Sequence, residues 1–358
     1  MDNRPTIALH GSYFGHNFGD ILLMMIYTKW IQELGFNVEL PFTSEENNKV
    51  IGADGNFGFN SLKRAEALVY GGGGYFGEKP SGKLRWGFRN IKRHYPAGAF
   101  ARMQKKPYAI IGVGAGPITN RLTRELFVSL CSNAEILAVR DEESKDYLIS
   151  YGVKPDNILV TADAVIQLNK KDIDEEYLLE AEKIIEGFPF PIKIGAHLAG
   201  VNDQHYIVKD LLKFMRKNPD IGVILLSDSP KVMSINKKIN EKIPNQSVVV
   251  PYKHPWILSA ILSSLDLVIT TKLHVGITSI ALKTPVLSIP IHPKTPRFFK
   301  QINMDEFCIP LNDLHSGEMF NRLSSITHDT PTINIDENLI SASARNKSLT
   351  EKFLRALR

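Results

Sequence analysis

With 358 residues, 43% hydrophobic and 23% charged, the chain has material for two ordinary cores and the composition of a globular protein. No apolar run reaches bilayer-spanning length, and the two cysteines, Cys131 and Cys308, sit far apart with neither metal spacing nor a disulfide framework. The net charge of +5 is concentrated: residues 79 to 124 hold eleven Lys or Arg and no acid, so the remainder is net acidic. That zone points to an anionic ligand or membrane surface, and no nucleic-acid partner is expected.

The opening "MDNRPTIALHG" lacks a charged-then-apolar signal pattern, so the expected compartment is the cytoplasm, with the basic zone suited to the inner face of the cell membrane. "TIALHG" reads as a strand. The loop "GSYFGHNFGD" follows, in which Gly11, Gly15 and Gly19 permit tight turns and Asp20 can cap the next helix. That helix, "DILLMMIYTKWIQELG", is expected to end at Gly35. "EALVYG" is a strand, and the four glycines of "YGGGGYF" read as a loop whose amides form an anion-binding nest or admit a ligand. "GVGAGP", after the strand "YAIIGVG", reads as a similar loop. Between them, "KLRWGFRNIKRHY" interleaves Lys83, Arg85, Arg89, Lys92 and Arg93 with Trp86, Phe88 and Tyr95. Aromatic faces suit sugar rings and the cations suit a lipid pyrophosphate or anionic headgroups; the plainer reading is a surface element whose aromatics reach the core.

"ILAVR" then places Arg140 at a strand end, either paired with Asp141 or Glu142 or aimed into a cleft. Asp163 in "TADAVI" has helix capping as its plainer role. The charged, then proline-rich "NKKDIDEEYLLEAEKIIEGFPFP" reads as a domain junction, after which strand-helix alternation restarts at "IKIGAHL" and runs to "PVLSI". The expected fold is therefore α/β: two facing Rossmann-like domains, 1–168 and 190–327, with parallel sheets flanked by helices. A helical segment, 328–358, is expected to pack back on the first domain. Ligands of such folds bind beyond the carboxyl ends of the strands.

"TTKLHVGITS" places Lys272 and His274 where the strand "DLVIT" gives way to a helix. A cation beside helix-terminal amides suits phosphate or carboxylate, and the dipole that lowers a histidine's basicity is offset by a bound anion. His274 could then serve as a general acid armed by its own substrate.

The segments "GHNFGD", "YGGGGYF", "GVGAGP", "VRDEESKDYLISYGVKPDNILVTADAV" and "DLVITTKLHVGITSIALKTPVLSIPIHPK" together resemble the polysaccharide pyruvyl transferase family, from near residue 7 to about residue 300. The resemblance implies a GT-B-like fold and transfer of the enolpyruvyl group of phosphoenolpyruvate onto two sugar hydroxyls as a cyclic ketal, releasing phosphate. Where the family carries arginine, an apolar residue and histidine, this chain has Lys272, Leu273 and His274, which keeps the cation and loses the two-pronged contact. The family's first-domain arginine falls on Arg140 and its later lysine on Lys294. His274 and Arg140 are thus the expected catalytic residues. Lys272, Leu273, Gly114, Gly116 and Lys294 are expected to hold the donor. Asn17, Asp20, Gly73, Gly74, Tyr75, Arg85 and Trp86 are expected to receive the acceptor, a glycan or its lipid-pyrophosphate-linked precursor. The site is expected to be free of acids, with no metal and no cofactor beyond phosphoenolpyruvate as co-substrate. The rival is a glycosyltransferase of the same fold using a nucleotide sugar; against it, residues 270 to 290 contain no acid that could bind a ribose.

Overall fold

The structure, a computed structural model, describes residues 4–15, 17–78, 83–202, 204–291, 294–311, 313–329 and 331–358, with the side chains of 83 and 84 excepted. His16, the first four residues of the basic zone, and His292 with Pro293 of "IHPK" therefore lie outside the described residues. The chain forms two units. The first is Met1–Gln167 together with Glu337–Arg358, and the second is Leu168–Asp336, which includes the segment read as a junction.

In the first unit the strands are β1 Thr6–His10, β2 Asn37–Pro41, β3 Asp54–Asn56, β4 Ala67–Tyr70, β5 Gly73–Phe76, β6 Tyr108–Ala115, β7 Ile136–Val139 and β8 Leu159–Val160. They lie in the order β3-β2-β1-β4-β6-β7-β8, with β5 pairing β6. The second unit has β9 Ile192–His197, β10 Ile221–Leu226, β11 Ser247–Val250, β12 Leu267–Thr270 and β13 Val286–Ser288, ordered β11-β10-β9-β12-β13. Pairing is parallel throughout both sheets. Parallel strands need crossovers, so helices cover the faces and the strands read as unbroken apolar runs; all eight residues of β6 are buried. In each unit the strand order reverses beside the first strand, between β1 and β4 and between β9 and β12. A ligand crevice forms at such a point.

Three expectations need correction. The first helix is Phe18–Glu33, and its N-cap is Asn17, not Asp20: the Asn17 side chain accepts from the Gly19 N–H at 3.2 Å. Asp20 instead sits in the first turn, where a carboxylate meets the positive end of the helix dipole. The two glycine-rich stretches are largely strand rather than loop, with only Gly71, Gly72, Gly116 and Pro117 outside the strands. Gly73 opens β5, and β6 continues through Gly114 to Ala115. Their amides join the ladder: Gly71 N–H donates to the His10 carbonyl at 2.9 Å and Gly116 N–H to the Phe76 carbonyl at 2.7 Å. Glycine is needed here for close approach. A Cβ on Gly71 would lie 2.8 Å from Met24, and Gly112, at φ +72°, sits where the β6–β7 register shifts.

The last helix, Glu337–Arg355, belongs to the first unit. Ser343 Oγ donates to the Asp163 carbonyl at 2.7 Å and Asn346 Nδ2 to the Ala162 carbonyl at 2.8 Å, while Lys347 pairs with Glu33 at 2.7 Å. The helix Phe18–Glu33 touches both this helix and β5. It is apolar nearly all round because it has neighbours on most sides. Cys131 and Cys308 are buried free thiols, and burial pushes both up to about 12.

Candidate functional site

In the second unit the helix Leu273–Ala281 begins directly after β12, with Lys272 as its N-cap residue. Lys272 caps through its backbone position alone; no side-chain cap bond forms, which leaves its ammonium for other work. The Lys272 N–H donates to Thr270 Oγ1 at 3.0 Å, and Thr271 ties the turn to the neighbouring strand end by donating from its hydroxyl to the Ala199 carbonyl at 2.7 Å. Leu273 and His274 are half-buried in the first turn.

Lys272 Nζ lies 3.2 Å from Asp228 Oδ2, with the lysine side chain 38% exposed and the aspartate 4%. Asp228 follows β10, and its other oxygen is 3.3 Å from Nε2 of His197, which ends β9 and is wholly buried. Neither ring nitrogen of His197 makes a well-aligned hydrogen bond, and neither does Asp228 Oδ1. Burial pushes the Asp228 carboxyl up, but His197 and Lys272 together outweigh it and hold the group below the ordinary carboxylate range. Tyr252, just after β11, completes the surroundings: burial, and then the Asp228 charge, push its phenol up. Residues from the ends of β9, β10, β11 and β12 thus converge at this unit's switch point.

His197 and Asp228 did not stand out in the sequence. Each ends a strand, in "IKIGAHL" and "IGVILLSD", and the strand-end rule that singled out Arg140 applies equally to them. The expectation of an acid-free surrounding is corrected by Asp228. Lys294 opens the helix Lys294–Gln301 and is half-buried.

Arg140, in the first unit, is 6% exposed. Its Nη1 lies 3.2 Å from Asp163 Oδ2 and its Nε 3.6 Å from Asp141 Oδ2, so the pairing acids are Asp141 and Asp163 and not Glu142. Asp163 also caps, accepting from the Val165 N–H at 3.1 Å. Gly114 lies under the guanidinium, where a Cβ would stand 2.8 Å from Arg140 Nε, and a Cβ on Gly116 would stand 2.2 Å from the Tyr147 ring. Both glycines make room for a side chain here.

At the first unit's switch point, between the ends of β1 and β4, rings fill the space. His10 is wholly buried, with Nδ1 3.1 Å from the Tyr13 hydroxyl and Nε2 3.1 Å from His94 Nδ1. Burial pushes His10 down to about 3, so the ring is neutral. Tyr75 stacks on His94 at 4.4 Å and donates its hydroxyl to the Gly71 carbonyl at 2.6 Å. At 4% exposure, Tyr75 offers no face to an acceptor, contrary to expectation, because its ring is part of this plug. Gly73 is buried, at φ +118° and near Asp20, and Gly74 is half-buried.

The stretch 83–95 falls on the helix Lys83–Met103. Arg85, Phe88, Arg89 and Lys92 are exposed, Phe88 at 63%. Trp86 is half-buried; its indole N–H donates to the Gly77 carbonyl at 2.9 Å, and the Arg89 guanidinium covers its ring at 3.8 Å. Among the described residues no cluster of three or more His, Cys, Asp or Glu is placed to hold a metal, and no helix is long and apolar enough to cross a membrane.

A two-sheet α/β fold with parallel strands, Rossmann-like in each unit, and with charged strand ends gathered at one switch point, places the chain in the GT-B-like class. A family model for polysaccharide pyruvyl transferases matches residues 17–293, more than half of the chain, and the chain belongs to that family. No curated protein matches it in sequence. Among solved structures it is similar to UDP-GlcNAc 2-epimerase from Neisseria meningitidis bound to UDP-GlcNAc, with 13% identity, 98% of this chain and 100% of that one covered, and a TM-score of 0.68. It is also similar to a glycosyltransferase from Rickettsia africae (13%, 99% and 98%, 0.60). A third is Anabaena Alr3699/HepE in complex with UDP and glucose (13%, 98% and 95%, 0.58). At these identities the likeness is one of fold.

Proposed function

We propose that the protein moves the enolpyruvyl group of phosphoenolpyruvate onto two hydroxyls of a glycan, forming a cyclic ketal and releasing phosphate. The observation that carries this reading is the Lys272-Leu273-His274 segment at the amino end of the helix Leu273–Ala281, inside the family match. The donor is small, highly anionic and lacks a ribose, and a half-exposed ammonium beside helix-terminal N–H groups is complementary to it. His274 gives a proton to C3 of the enol, with the donor's own charge favouring the protonated ring. C2 gains oxocarbenium character and bonds one sugar oxygen, whose proton is released. The C2–O bond to phosphate then breaks, and the second hydroxyl closes the ring with loss of its proton. Lys272 balances the charge of the carboxylate or departing phosphate. Arg140, buried between two acids, shapes its strand end in this scheme.

The acceptor is a surface polysaccharide or its lipid-linked precursor, reached at the inner face of the cell membrane. Supporting this is the helix Lys83–Met103, whose exposed Arg85, Arg89 and Lys92 surround the exposed Phe88: cations for anionic headgroups and a ring for the interface. A glycosyltransferase reading is favoured by the UDP-bound structures of similar fold, and disfavoured by the lack of any acid from 270 to 290. One incubation separates the two. Phosphate released from phosphoenolpyruvate only when glycan acceptor is added supports ketal transfer; uridine diphosphate released from a sugar nucleotide under the same conditions would replace it.

A further inference from the structure

The second unit carries a carboxylate where an anionic substrate is expected to bind, and that demands an account. Asp228 already neutralises Lys272 at 3.2 Å, so an arriving anion meets a site whose local charge is close to zero. Its approach would also set two negative groups against one ammonium. Behind Asp228 lies His197, fully buried, Nε2 3.3 Å from Oδ1, with neither ring nitrogen in a well-formed hydrogen bond. A buried polar ring without such a bond is costly unless it has a second state in which its polarity is used. Protonation of the His197–Asp228 pair supplies that state. The new N–H⁺ satisfies Asp228 from behind, and the Lys272 ammonium is left to the ligand.

Resting on the donor reading above, we infer that Asp228, backed by His197, is a positioning residue for Lys272, and that the pair takes up a proton from solvent when the anionic donor binds. In the free site Asp228 holds the ammonium above the amino end of the helix Leu273–Ala281. In the donor complex the protonated pair has no net charge and Lys272 faces the donor with its full charge. The charged and titratable groups that act on Asp228 are His197 from β9, Lys272 before the helix and Tyr252 after β11; His274 lies in the first turn of the helix that Lys272 caps. Burial holds Tyr252 in the neutral form, so two acceptors remain, His274 and the Asp228–His197 pair, and the proton assigned to the pair is taken up in addition to any that His274 gains.

The test is titration calorimetry of wild-type protein with phosphoenolpyruvate in two buffers of different ionisation enthalpy, at a pH near neutrality. An uptake of at least one proton per donor bound is expected. Asp228→Asn should reduce that uptake by about one proton and lower the donor KM several-fold, because the competing carboxylate is gone. It should also lower kcat roughly tenfold, because Lys272 is no longer held; KM and kcat falling together mark relief of ground-state repulsion. A merely structural Asp228 would leave the proton count unchanged. Donor binding by wild-type protein with no proton uptake overturns this inference and leaves the proposed function standing. Absence of donor binding overturns both. Where Asp228→Asn fails to fold, His274→Gln decides: with that ring gone, about one proton per donor bound should still be taken up, and donor binding without uptake overturns this inference.

Discussion

The two units share a topology and treat charge in opposite ways. At the first switch point neutral rings close the space: His10, His94, Tyr13 and Tyr75 pack together, and the nearby cation Arg140 is sealed between Asp163 and Asp141. At the second, the cation is only half sealed. Asp228 holds Lys272 from below while 38% of its side chain remains in solvent. Both cations have a buried acid, so possession of a partner does not distinguish them. Exposure does, because a guanidinium enclosed by two carboxylates has little charge left to offer, whereas a lysine reaching out of its pair can transfer its contact to a ligand.

The largest expected effect tests whether the second unit does the chemistry. His274→Gln should lower kcat by about 10²–10⁴-fold, the range for loss of a general acid, while donor affinity by calorimetry stays nearly unchanged. Equal loss of both would make His274 a holding residue. Next, Arg140→Ala should cost about 3–5 kcal/mol of stability in denaturant melts, since it strands a buried carboxylate. Unchanged stability with weakened donor binding would break the comparison and turn Arg140 toward ligand. Lys272→Ala should show the reverse pattern. A loss of about 2–4 kcal/mol in transition-state stabilisation from kcat/KM is expected, with a smaller loss of stability than in Arg140→Ala because Asp228 keeps His197 beside it. Lys272→Arg should keep partial activity.

The smallest effect is in acid. Because the folded-state Asp228 carboxyl is held below its ordinary value, its contribution to stability is complete above the unfolded value of about 4 and is lost as pH falls below it. The stability advantage of wild type over Asp228→Asn should therefore shrink on acidification below that point. An advantage independent of pH would mean that Asp228 acts by packing alone.

The alternation of apolar strands and amphipathic helices was legible because parallel strands must be buried on both faces, and that burial is written directly into composition. Gly73–Phe76 and the end of β6 were misread for a matching reason. Glycine is depleted in strands, yet here the positive φ of Gly73 and the close approach of Arg140 to Gly114 demand it. Asp54–Asn56 carries no apolar alternation at all and is a strand only because β2 offers it an edge. In the site, the residues adjacent in sequence, Lys272 to His274, were readable. Their partners His197 and Asp228 come from other strands, and single polar residues after apolar runs have no local signature. The aromatic stretch 83–95 shows the same limit: its composition marked a basic, aromatic surface element but showed neither that it is helical nor that Arg89 would cover Trp86.

The final helix, Glu337–Arg355, has a consequence for how the molecule is made. On the ribosome the second unit, Leu168–Asp336, is synthesised whole before that helix exists, whereas the first unit waits for it. Until Ser343 and Asn346 arrive, the carbonyls of Asp163 and Ala162 lack their donors, and the loop that seats Arg140 is unclamped. The unit begun first is therefore finished last, with an open flank during translation. Nascent chains stalled at residue 336 should give protease a cleavable first unit beside a resistant second one, and equal resistance of both would show that the helix only decorates a core already closed.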